Sequence, residues 1–127
     1  MHRIALLACL AAIGCQSSAP PPPAADEGVR QSARAYVEAL RGERWARACT
    51  LMTRVARAAL REQAGGSCTS ALAGGATLTP GELAAIGRQL PGARVEVRGA
   101  RATLGPLGVG ELSLVLERRG GRWLVAG

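Results

Sequence analysis

Lysine is absent from this chain: all 16 of its basic residues are arginine. The only histidine is His2, at the extreme N-terminus, and the only aspartate is Asp26. Each absence excludes chemistry. Schiff-base formation, Ser-Lys catalysis and a phosphate-binding P-loop all need a lysine. Ser-His-Asp and Cys-His catalysis need a histidine, and His2 falls in a segment that is removed on maturation if it is a signal peptide. Histidine-based zinc sites are excluded on the same ground, and the folded part has two cysteines at most for a metal. No HExxH, Rossmann glycine fingerprint, EF-hand loop or CxxC pair is present. The carboxylates that remain, Glu38, Glu43, Glu62, Glu82, Glu96, Glu111 and Glu117, fall on solvent-facing positions by period. No catalytic, metal-binding or cofactor-binding residue is therefore assigned. Aromatic side chains are equally scarce: Tyr36, Trp45 and Trp123 are all there are. With so few stacking platforms, the net charge of +7 does not point to nucleic acid. The arginine, alanine and glycine richness reads first as GC-biased coding. The sharper reading is a basic surface for anionic lipid headgroups or a cell-wall polymer.

Long apolar runs are missing too. The longest, from Ile4 to Ile13, is far short of the roughly 20 residues that span a bilayer. Behind His2-Arg3 it has the make-up of a signal-peptide h-region. The residues Ile13-Gly14-Cys15 that close it resemble the lipobox of bacterial lipoproteins, with Ala12 standing where leucine is preferred. That resemblance implies cleavage before Cys15 and lipid attachment, such as palmitate, at Cys15. A rival match, Leu6-Leu7-Ala8-Cys9, leaves about five apolar residues before its cysteine, against the roughly 7–15 of an h-region. Ordinary secretion, with cleavage near the alanines, is the other alternative. The expected location is the cell membrane, lipid-anchored on its extracytoplasmic face.

Three segments follow from this: a signal peptide at 1–14, a tether at 15–25 and one domain at 26–127. The tether carries Pro20 to Pro23 and suits a semi-extended spacer. Within the domain, Val29, Ala33, Val37 and Leu40 recur at helical spacing, with Tyr36 at the edge of their face. Arg34 and Glu38 are spaced for an ion pair on the outer face. A second helix is expected over 43–52, with Trp45, Ala48, Cys49 and Met52 inward. A third is expected from a Thr53 cap to about Gln63, with Val55, Ala58 and Ala59 inward. Ser67 to Leu72 reads as a short helix or turn. Thr79-Pro80-Gly81-Glu82 reads as a capping box opening a helix with Leu83, Ile86 and Leu90 inward. Beyond Ala93 the period drops to two. Val95 and Val97, Ala102 and Leu104, then Leu112, Leu114 and Leu116 mark strands, and Gly120-Gly121 a hairpin turn into Trp123. Helices followed by a meander predict an α+β fold, with N-terminal helices packed on a curved antiparallel sheet.

Cys49 and Cys68 are the two cysteines of the domain. In an oxidising compartment two such cysteines form a disulfide, and a small core gains most from one.

The order of helices, the stretch "WARACTLMT", a second cysteine, and a tail "LVLERRGGRWLVAG" resemble small actinobacterial lipoproteins with an NTF2-like (nuclear transport factor 2-like) fold. The resemblance implies a cone, in which a bent sheet wraps the helices and often leaves a pocket. Enzymes of that group place Asp, His or Tyr in the pocket, a pattern this chain departs from. The leading expectation is thus a non-enzymatic interaction or accessory module of the cell envelope. Its partners would be the membrane, through the anchor, and an envelope protein. The alternative is a carrier of a small apolar ligand or lipid, in a cavity lined by Trp45, Met52, Leu83, Ile86, Leu112 and Leu114. The lipidation assignment has a direct check. Cys15→Ser should move the protein from the membrane fraction to the soluble extracytoplasmic fraction, and continued membrane association would overturn it.

Overall fold

The computed structural model describes residues 25–75, 78–108, 110 and 112–127. Cys15, the signal at 1–14 and the tether up to residue 24 lie outside the described residues. Helix α1, Ala25–Arg41, starts with Asp26 and Glu27 against the positive end of its dipole. Its expected apolar face is buried, and Tyr36 and Ala39 are buried with it. Arg34 and Glu38 both stay exposed and unbridged. Among the described residues the ion pairs are Arg94–Glu96 at 3.7 Å and Arg119–Glu117 at 2.9 Å. An exposed helical pair contributes only about 0.3–0.5 kcal/mol, too little to fix two long side chains.

Helix α2, Trp45–Thr50, is shorter than the expected 43–52. At its start Glu43 has a left-handed backbone, φ 55°, in a turn closed by Gly42 and Arg44 N–H groups donating to Glu38 and Ala39 carbonyls. At its end the chain leaves the helix for the sheet. Val125 N–H donates to the Leu51 carbonyl at 2.8 Å, and Thr53 N–H donates to the Val125 carbonyl at 2.9 Å. These bonds satisfy backbone groups that an unpaired edge would leave open. Thr53 then caps helix α3, Arg54–Ala64, accepting the Ala56 N–H at 3.1 Å.

The expected inward face of α3 is out of phase. Val55 is 74% exposed, and Ala56 and Leu60 pack on the core instead. The rotation is set by Arg57, which donates to the carbonyls of Cys49 and Met52 at the C-terminal end of α2. Those are orphan carbonyls that need a donor. No residue of α3 is fully buried, so its ends matter. One is held by the Thr53–Val125 pairing, the other by the disulfide Cys49–Cys68, whose Cα atoms lie 6.2 Å apart.

Helix α4, Cys68–Ala73, has a reciprocal capping box between Ser67 and Ser70. Helix α5, Pro80–Gln89, has only half of the box expected there. Thr79 accepts the Glu82 N–H at 3.2 Å, with no return bond from the Glu82 carboxylate. Leu83, Ile86 and Leu90 are buried as expected. A single 3-10 turn, Leu90–Gly92, closes the helical part, and Arg30 of α1 donates to its Leu90 carbonyl at 3.0 Å.

The strands are β1 Val95–Arg98, β2 Arg101–Leu107, β3 Leu112–Arg119 and β4 Arg122–Val125. They form an open antiparallel meander in sequence order. Ala102, Leu104, Leu116, Trp123 and Val125 are buried on the face that meets α1. The opposite face carries Glu96, Arg98, Arg101, Thr103, Arg119 and Arg122, all exposed. Gly120 and Gly121, at φ 57° and 77°, make the β3–β4 turn of the primed type that suits strand twist. Gly105 sits where the β2–β3 register shifts, and a Cβ there would lie 2.8 Å from the Leu112 carbonyl. The protein is α+β: helices first, then a four-stranded sheet that does not close on itself. Opening the Cys49–Cys68 ring, with its separation of 19 residues, should cost about 3 kcal/mol by chain entropy. Cys68→Ser should therefore lower the thermal midpoint by about 10–20 °C. A calorimetric scan that shows no shift, in the variant and after reduction alike, would exclude this role.

Candidate functional site

The helical layer does not seal the inner face of the sheet completely. A cavity of about 200 Å³ lies between the second half of α1, helix α5 and the start of β3. Tyr36, Val37 and Leu40 line it from α1, and Leu83 and Ile86 from α5. Leu107 closes the sheet side, and Leu112 and Leu114 form the strand wall. Leu112 stands 44% exposed at the rim. Position along the chain explains the gap. Residues of α1 near Val29 are covered by β4 and the 3-10 turn, whereas the far end of the helix overhangs the point where β3 begins. Gln89 fixes α5 to the end of β2 by accepting the Gly108 N–H.

An adjoining cavity of about 210 Å³ opens towards α3, lined by Met52, Ala56, Leu60 and Val125. Tyr36, Leu114 and Gly127 border both. A third cleft, near the α1–α2 turn, has a mixed lining of Arg41, Glu43, Trp45 and Leu83. The six residues expected to share one cavity are thus distributed. Leu83, Ile86, Leu112 and Leu114 meet. Met52 reaches Leu114 from the second cavity, and Trp45 meets Leu83 only in the third. Sequence reasoning missed Leu40, Tyr36 and Leu107 as lining residues. The first two were legible as an apolar helix face, and nothing in periodicity distinguishes its covered end from its open one. Leu107 is hidden in Gly105-Pro106-Leu107-Gly108, which reads as a turn.

Among the described residues lining the first cavity none is charged. Its polar side chains are those of Tyr36 and Ser113. Desolvation holds the Tyr36 phenol above its ordinary value, so it stays neutral and protonated. Such a space can take an apolar molecule by exclusion of water. It offers no buried carboxylate to a proton transfer, since Thr53 is the single buried polar residue among those described. Apolar cavities of roughly 150 Å³ already hold a benzene-sized guest. No family model, no curated protein and no solved structure matches this chain.

Tyr36 is the only tyrosine, and lysine is absent. Alkaline titration of the folded domain therefore isolates this phenol. Its folded pKa is raised, so its contribution to stability is intact below the unfolded value of about 10. It is lost as pH rises from there through the folded value. Unfolding by denaturant should show stability falling above about pH 10, and Tyr36→Phe should flatten that limb. A fall of equal slope in the variant would assign it elsewhere.

Proposed function

We propose that this protein is a lipid-anchored extracytoplasmic binding module, held to the membrane through Cys15, whose domain takes a small apolar ligand between α1, α5 and the sheet. The observation that carries the reading is the uncharged cavity of about 200 Å³ bordered by Tyr36, Leu83, Ile86 and Leu112. Ligand sites are concave, mostly apolar and furnished with few polar groups, and Tyr36 and Ser113 are the polar groups here. An NTF2-like cone is the architecture in which such a space arises between helices and meander, and the element order supports that assignment. The N-terminal run ending at Cys15 supports the anchor. The chemistry of the chain supports binding over catalysis, since the domain has neither histidine nor lysine.

The interaction-module reading draws on the same place, because Leu112 offers an apolar side chain to a partner at the rim. Titration of the full-length protein with decanol, followed by native mass spectrometry and tryptophan fluorescence, separates the two. The binding reading expects one saturable site. Leu112→Arg, at an exposed position, should weaken it by about ten-fold or more, the effect of losing about 1.4 kcal/mol, with the thermal midpoint unchanged. No saturable binding would overturn the ligand reading and leave the rim to a protein partner.

A further inference from the structure

Arginine is concentrated at one end of the sheet. The β1–β2 and β3–β4 turns lie side by side there, because Arg101 pairs with Glu117 across β2 and β3. Around these turns stand Arg98, Arg101, Arg118, Arg119 and Arg122, all exposed. Two pairs face each other directly across the strands: Arg98 with Arg101, and Arg119 with Arg122. Like charges directly opposite are destabilising in a sheet. Coding bias explains why arginine replaces lysine along the chain. It does not explain two like-charged pairs side by side, where opposite charges would stabilise the hairpins. The carboxylate within this group, Glu117, is already engaged by Arg119 at 2.9 Å. Asp26 and Glu27 lie on the helical side, where the N-terminal dipole of α1 offsets them.

The same end is where the chain joins the fold. Gly28, in the first turns of α1, packs against the Trp123 indole, so closely that a Cβ would come within 3.3 Å of its ring. Helix α1 then runs the length of the domain to Leu40, which borders the apolar cavity together with Gly127 at the opposite end. The ten residues from Cys15 to Ala25 reach about 35 Å at most. They attach beside the arginines and far from the cavity mouth. A membrane reached through Cys15 therefore meets the arginine end first.

We propose that Arg98, Arg101, Arg119 and Arg122 form a docking surface for anionic phospholipid headgroups, which seats the domain on the membrane. The group spans four strands, roughly 14 Å at the usual strand spacing. Guanidinium groups bind phosphate oxygens in bidentate fashion. Bound phosphates also relieve the two like-charged pairs. The proposal rests on the anchored reading for its orientation, but its test does not need the anchor.

The test uses the full chain carrying Cys15→Ser. Binding is compared for vesicles of phosphatidylcholine alone and of phosphatidylcholine with phosphatidylglycerol. A clear preference for the anionic vesicles is expected, abolished at about 1 M salt, where the screening length falls to about 3 Å. Each arginine near such a surface strengthens binding by about five-fold. Replacing Arg98, Arg101, Arg119 and Arg122 together by Gln should cut the preference on the order of 100-fold or more. A control of equal charge change, with Gln at Arg44, Arg47, Arg54 and Arg61 on the helical side, should retain it. Equal binding to both vesicles, or equal loss in the two variants, would overturn the proposal. Binding to soluble polyphosphate without binding to vesicles would overturn it as well. Failure here leaves the Cys15 fractionation and the decanol titration untouched, so the two readings fail separately.

Discussion

Every layer of this protein is referred to one helix. The buried stripe of α1 meets α2, α5, the 3-10 turn and the strands β1, β2 and β4. Its side chains from Val29 to Leu40 are the common floor of the core. Burying a side chain of the Val or Leu class contributes about 1.5–3 kcal/mol, and α1 supplies several to a domain of modest size. The small helices have little burial of their own. They are positioned by specific polar devices instead: Arg30 on the 3-10 turn, Arg57 on the end of α2, serine and threonine caps, and one disulfide. A short-helix architecture without bulky aromatics needs such devices, because each helix buries too little surface to fix its own rotation.

That division explains what was legible in the sequence. Helix α1 was, because its apolar residues recur over four turns and leave one possible face. The meander was, because alternation and the Gly120-Gly121 turn agree. Cysteine count and compartment sufficed for Cys49–Cys68. The phase of α3 was not legible. Its candidates are mostly alanines, which carry almost no directional signal, and the single branched residue, Val55, faces water. What decides the phase is Arg57 reaching carbonyls eight and five residues back, a contact that depends on where α2 stops. Helix α2 in turn stops early because Leu51 to Thr53 join the sheet edge, a long-range pairing with no local mark.

The cavity repeats the pattern on a smaller scale. Leu83, Ile86, Leu112 and Leu114 could be expected to converge because they share the inner faces of α5 and β3. Trp45 could not be placed, since its direction depends on the left-handed turn at Glu43. The lining residues from α1 were visible as core and invisible as wall. Periodicity reports which side of a helix is apolar and is silent on how far the opposing layer extends along it.

One consequence of the sheet's two edges remains. The β4 edge is occupied by Leu51 to Thr53. The β1 edge is free, but it is four residues long, and Arg94, Glu96 and Arg98 along it are exposed and charged. Short, charged edges resist the strand-to-strand addition that seeds aggregates. Copies concentrated side by side on a two-dimensional surface would meet at far higher local density than free molecules. A sheet with one edge stitched and the other guarded can be crowded in that way without polymerising.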